Sequence, residues 1–117
     1  ASTTTDPRVV EYMMPFLTEH IGNPHSITLE YGLFSKNAID LSRERVSDFI
    51  VDRSPKDVLF TSGETESNNT SIKGLSWYFG KDKKPYIITQ RTEHKSVLES
   101  CRIIEIQGWK VIYLDVD

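Results

Sequence analysis

The chain has 117 residues, of which 38% are hydrophobic, below the near-half usual for globular domains on a slightly different residue set. Acidic side chains outnumber basic ones 17 to 14, giving a formal charge of -3 and a pI of about 5.6. No positive field draws the chain to a phosphate backbone or an anionic bilayer, so neither nucleic acid nor membrane is expected as a partner. No run reaches the roughly 18 consecutive apolar residues of a spanning helix, and no signal-peptide pattern is present.

Asp6 followed by Pro7 reads as a helix start, because aspartate caps and proline at the first helical position gives up no needed N–H. The helix is expected to run to about Glu19, with Val9, Met13, Phe16 and Leu17 as a buried stripe and Pro15 as a bend. The cluster Gly22-Asn23-Pro24-His25-Ser26 then ends helical structure. A second helix is expected over about 34–51, with Ile39, Val46, Phe49 and Ile50 on its apolar side.

Three short apolar runs follow: Val58-Leu59-Phe60-Thr61, Tyr86-Ile87-Ile88-Thr89 and Val111-Ile112-Tyr113-Leu114. They lack polar alternation, the pattern of strands covered on both faces. Helix-length segments, about 65–79 and 95–107, lie between them, the second closed by Gly108 at a C′ position. Two helices and then a βαβαβ run predict an α/β chain, the first part of an open parallel sheet with right-handed crossovers. The sequence opens on Ala1-Ser2-Thr3-Thr4-Thr5 without methionine and stops at Asp117, directly after the last apolar run. The expectation is that these residues belong to a longer fold: an amino-terminal segment over 1–5 and, over 6–117, the incomplete first part of a larger domain.

Ligands of open parallel sheets bind beyond the carboxyl ends of the strands, and two runs lead there into conspicuous sequences. In Thr61-Ser62-Gly63-Glu64-Thr65-Glu66-Ser67-Asn68-Asn69, a strand passes through Ser-Gly into a helix N-terminus, where unpaired N–H groups form an anion site and the Ser62 and Thr65 hydroxyls add donors. The same residues also read as a plain helix cap, with Ser62 as N-cap and Glu64 and Glu66 stabilising the first turn. After the middle run comes Thr92-Glu93-His94-Lys95-Ser96. His94 there suits stacking on a planar ligand and proton exchange, and it equally suits capping the next helix. Cys101, the single cysteine, cannot form an internal disulfide and offers no thiol pair for a metal, so no metal site is expected and a reducing compartment fits. It shares a helical face with Val97 and Ile104 and reads as a buried thiol, and Trp77 and Trp109 read as packing residues.

Taken together, Asp6-Pro7-Arg8-Val9, Gly22-Asn23-Pro24-His25-Ser26, Phe60-Thr61-Ser62-Gly63 with Thr65-Glu66-Ser67-Asn68-Asn69, Ile72-Lys73-Gly74, and Thr92-Glu93-His94-Lys95 with Ser100-Cys101-Arg102 resemble the amino-terminal part of a cysteine desulfurase of the iron–sulfur cluster assembly type. The resemblance implies a fold-type-I, aminotransferase class V-like large domain, pyridoxal 5′-phosphate as cofactor, and a homodimer. It also implies L-cysteine as substrate, L-alanine and an enzyme persulfide as products, and scaffold and sulfur-acceptor proteins as partners. The implied location is a mitochondrion, a mitochondrion-derived organelle or a bacterial-type cytoplasm.

The resemblance places Gly63, Glu64 and Thr65 at the cofactor phosphate, and His94 against the cofactor ring as the catalytic imidazole. The family usually has alanine where this chain has Glu64, so the carboxylate must turn away from the phosphate. The Schiff-base lysine, the persulfide-forming cysteine, the aspartate at the pyridine nitrogen and the arginine for the substrate carboxylate are not matched in these 117 residues. Lys95 belongs to a different motif from that lysine, and Cys101 matches a non-catalytic helical position. The chain alone is therefore expected to be inactive. A selenocysteine lyase, an aminotransferase-like enzyme on the same scaffold, and a nonenzymatic split subunit binding a partner chain remain alternatives.

Overall fold

The computed structural model describes residues 3–50, 54–80 and 86–116. They fall into two compact units, residues 1–59 and 60–117.

In the first unit, Asp6 caps α1 (Pro7–Thr18), its carboxylate accepting the Arg8 N–H at 2.8 Å. Pro15 lies inside this helix, and its carbonyl takes the N–H groups of both Glu19 and His20. The apolar stripe forms but is not buried: Val9, Met13, Phe16 and Leu17 are 44–66% exposed. The residues face an open groove of about 780 Å³, shared with Ala38 and Leu41.

Helix α2 (Glu30–Ile50) starts four residues before the expected position. Turns over 23–29 feed straight into it, and Gly32 sits within it because a side chain there would strike the Ser26 and Asn23 carbonyls. Its buried face is small and polar, made of Gly32, Ser35 and Ser47, whereas Phe49 is almost fully exposed. The expected final residue, Val51, lies outside the described residues. A 3-10 turn, Pro55–Asp57, follows.

In the second unit, helix α3 (Glu64–Phe79) packs on helix α4 (Lys95–Ile106), and strands β1 (Tyr86–Gln90) and β2 (Lys110–Leu114) pair in parallel with Ile87 opposite Val111. The β1–α4–β2 crossover is the α/β unit that the alternating pattern predicts. The third expected strand is not formed among the described residues: Val58 has extended backbone, but the sheet is two-stranded and the Val58 carbonyl accepts from the Arg43 guanidinium instead. Extended dihedrals make a strand only when a neighbour completes the hydrogen-bond ladder.

Cys101, Ile104 and Ser100 are fully buried and Trp109 nearly so. Trp77, read as a packing residue, is instead 56% exposed, with its indole N–H donating to Gln107. The strands are covered on one face: Ile87 points with Trp109 into a cavity lined by Ile72 and Phe79, while Ile88 is 63% exposed. Gly108 ends α4 with φ 86°, the left-handed C′ position predicted for it. Its N–H bonds the Glu105 carbonyl and that of Trp109 bonds the Ile104 carbonyl, the pair of a Schellman motif.

Candidate functional site

The loop before α3 is shaped by side chains that turn back on it. Gly63, in extended backbone, occupies the N-cap position that the sequence suggested for Ser62. Ser62 donates both its N–H and its hydroxyl to one Glu66 carboxylate oxygen, each at 2.7 Å. These bonds hold the Glu66 carboxyl below its ordinary range. Ser62 is thus neither the cap nor a spare donor. Thr61 pins the other side, its hydroxyl donating to the Gly63 carbonyl at 3.1 Å and lying 2.6 Å from the Ser67 hydroxyl.

What the loop leaves open is the first turn itself. The backbone N–H groups of Glu64, Thr65 and Glu66 meet no acceptor among the described residues, and the Thr65 hydroxyl has no partner there either. Three aligned N–H groups at the positive end of a 16-residue helix suit an anion. A Cβ at Gly63 would find open space, so the approach is unobstructed.

His94 stands on the neighbouring loop, four residues past the carboxyl end of β1, and it caps α4. Its Nδ1 accepts the Ser96 N–H at 3.1 Å and lies 2.8 Å from the Ser96 hydroxyl. The cap and the exposed ring coexist, since 60% of the side chain remains accessible.

Glu64 joins the two loops, its Oε1 lying 3.9 Å from His94 Nδ1. The carboxylate also meets the Asn68 amide at 3.4 Å and is largely exposed, which places it on the His94 side of the helix start. Gly63, Glu64, Thr65 and His94 therefore come together as one cluster. Cys101 stays outside it, buried in the α4 core with its thiol pushed up by desolvation, then by Glu105 and Glu93.

Two features escaped the sequence reading. The return of Glu66 to Ser62 had a signal, an acidic residue three positions after the cap. The bond from Asn68 Nδ2 to Ser96 Oγ at 2.8 Å spans 28 positions and had none.

Comparison with known proteins identifies the family of the chain. The family model for aminotransferase class-V matches residues 1–117. The chain is 48% identical over 116 residues to a mitochondrial cysteine desulfurase of Drosophila melanogaster, covering 99% of this chain and 25% of that one. It is 50% identical over 117 residues to the mitochondrial cysteine desulfurase of Arthroderma benhamiae, covering 99% and 23%. Against the cysteine desulfurase IscS of Ehrlichia chaffeensis the identity is 48%, with 99% and 28% covered. Among solved structures, a NifS-like protein superposes with a TM-score of 0.84 at 37% identity, over 96% of this chain and 30% of the other. SspA in complex with cysteine gives 0.82 at 36%, over 97% and 32%. The chain thus spans about a quarter of the length of the curated relatives it matches. With a family match along its whole length and the same fold in these solved structures, the chain belongs to the aminotransferase class-V family.

Proposed function

We propose that residues 6–117 form the first part of the large cofactor-binding domain of a pyridoxal-phosphate-dependent cysteine desulfurase. On this reading the enzyme takes sulfur from L-cysteine, leaves L-alanine, and passes the sulfur as a persulfide to acceptor proteins of iron–sulfur cluster assembly. The observation that carries the reading is the juxtaposition of an open helix N-terminus with an exposed imidazole 3.9 Å from its first residue. The chain's relatives named as cysteine desulfurases match it over nearly its whole length.

The residues fit the cofactor's outline. The N–H groups at 64–66 and the Thr65 hydroxyl are free donors for a phosphate dianion. His94, held by its Nδ1, leaves its ring open for a planar group. When bound, pyridoxal phosphate supplies the electron sink that lets bonds at the α and β carbons of an amino acid break. This chain's share is binding and orientation: Gly63, Glu64 and Thr65 would hold the phosphate, and His94 would serve as the catalytic imidazole at the ring. The reading assigns the covalent lysine and the persulfide cysteine to residues outside these 117, in a homodimer of full-length chains. It also assigns the protein to a mitochondrion or a bacterial-type cytoplasm.

The test is product analysis. Full-length protein carrying this sequence, loaded with pyridoxal phosphate and given L-cysteine, is expected to form L-alanine in equimolar amount with sulfane sulfur. Conversion of selenocysteine alone, or transamination without alanine release, would overturn the reading.

A further inference from the structure

Between Glu64 and His94 runs a chain of hydrogen bonds whose direction can be worked out atom by atom. The Glu64 carboxylate has only acceptors, so the amide face of Asn68 turned toward it at 3.4 Å is Nδ2. The same Nδ2 lies 2.8 Å from Ser96 Oγ, which must accept its second hydrogen. Ser96 then keeps its own hydroxyl hydrogen, with His94 Nδ1 2.8 Å away. The Ser96 backbone N–H points at that nitrogen too, at 3.1 Å, and an N–H requires a lone pair there. Nδ1 is therefore unprotonated, the hydroxyl donates to it, and the neutral ring carries its proton on Nε2.

We propose that Asn68, oriented by Glu64 and acting through the Ser96 hydroxyl, is a positioning residue that reinforces the Ser96 backbone N–H in holding His94 as the Nε2–H tautomer. His94 then offers the site a donor at Nε2 rather than a lone pair, and its other nitrogen is committed to the helix cap. The proposal rests on the reading of His94 as the imidazole of the site. It gives Glu64 a purpose of its own, since the carboxylate decides which way the Asn68 amide faces. Asn68 joins α3 to α4 at the site end of both helices, so the anion-binding turn and the imidazole are tied side chain to side chain.

Asn68→Asp tests the direction of the chain, because it exchanges a donor for an acceptor of the same shape. The carboxylate introduced by this substitution draws the Ser96 hydroxyl hydrogen toward itself, and the Ser96 oxygen then presents a lone pair to Nδ1. In full-length protein labelled with 15N at histidine, the imidazole nitrogens of His94, assigned against His94→Gln, report the proton directly. The parent is expected to show a protonated Nε2 and an unprotonated Nδ1. In Asn68→Asp, recorded at a pH where the ring is neutral, the ratio of the Nδ1–H to the Nε2–H tautomer is expected to rise roughly 2- to 12-fold, the equivalent of one net hydrogen bond. Ser96→Ala is expected to move it in the same direction, and Ser96→Thr, which keeps the hydroxyl, to restore the parent spectrum.

A parent ring with its proton on Nδ1 would overturn the proposal. Parental spectra in folded Asn68→Asp would do the same, and if that variant does not fold, a parental spectrum in Ser96→Ala decides against it. The positioning role and the functional reading separate cleanly. A shifted tautomer with unchanged cysteine turnover supports the role of Asn68 and removes His94 from the chemistry. An unshifted tautomer in an active enzyme refutes the role of Asn68 and leaves the desulfurase reading standing.

Discussion

Replacing His94 with alanine in full-length protein is expected to lower L-cysteine turnover at least about tenfold, a floor set below the 10² to 10⁴ typical of a positioned acid–base group. The expectation follows from placement: the ring is anchored at Nδ1 by the Ser96 N–H, stays 60% exposed, and stands beside an open helix N-terminus. On the proposed assignment the cofactor is expected to remain bound, because α3 would hold its phosphate, and its absorption spectrum should shift with the loss of the imidazole. Cys101→Ala is the matched control. That thiol is only 1% exposed and pushed above its ordinary pKa, which disfavours the thiolate a sulfur nucleophile needs. The variant is expected to lose some stability and to form persulfide as the parent does. Parental turnover in His94→Ala together with lost persulfide in Cys101→Ala would mean that the two roles had been exchanged.

The second large effect is expected at Thr65. Thr65→Val keeps the shape of the first turn and removes one hydroxyl donor, leaving the backbone N–H groups in place. A hydrogen bond to a charged group is worth about 1.5–3 kcal/mol, so the affinity of apo-protein for pyridoxal phosphate should fall roughly 10- to 150-fold, measured by fluorescence titration. Glu64→Ala should move the other way, because it removes a carboxylate from beside a dianion. At about 4 Å in water, like charges repel by about 1 kcal/mol, so a gain of severalfold at low salt is expected, fading as salt is added. A Thr65→Val variant that binds as tightly as the parent would remove the hydroxyl from the site.

Much of the fold was legible because its punctuation is local. Asp6-Pro7 started α1 and Gly108 closed α4 at the positions their chemistry demands. What failed depended on partners distant in sequence. The stripe of Val9, Met13, Phe16 and Leu17 has helical periodicity, but periodicity records which side is apolar and not what covers it. Residues 58–61 have the composition of a strand, yet among the described residues the sheet consists of β1 and β2. The cluster at the site was legible in its parts, the Ser-Gly turn into α3 and the histidine after β1. Its wiring was not: Ser62 spends its donors on Glu66, and Asn68 reaches Ser96 across 28 positions.

On the proposed function, the N-terminus of α3 and His94 serve one cofactor. The most direct test is a crystal structure of the full-length protein with pyridoxal phosphate bound. Phosphate oxygens are expected within hydrogen-bond distance of the Glu64 and Thr65 N–H groups and the Thr65 hydroxyl, with the pyridine ring against the face of His94. A phosphate held at another helix, or a ring lying out of contact with His94, would contradict it.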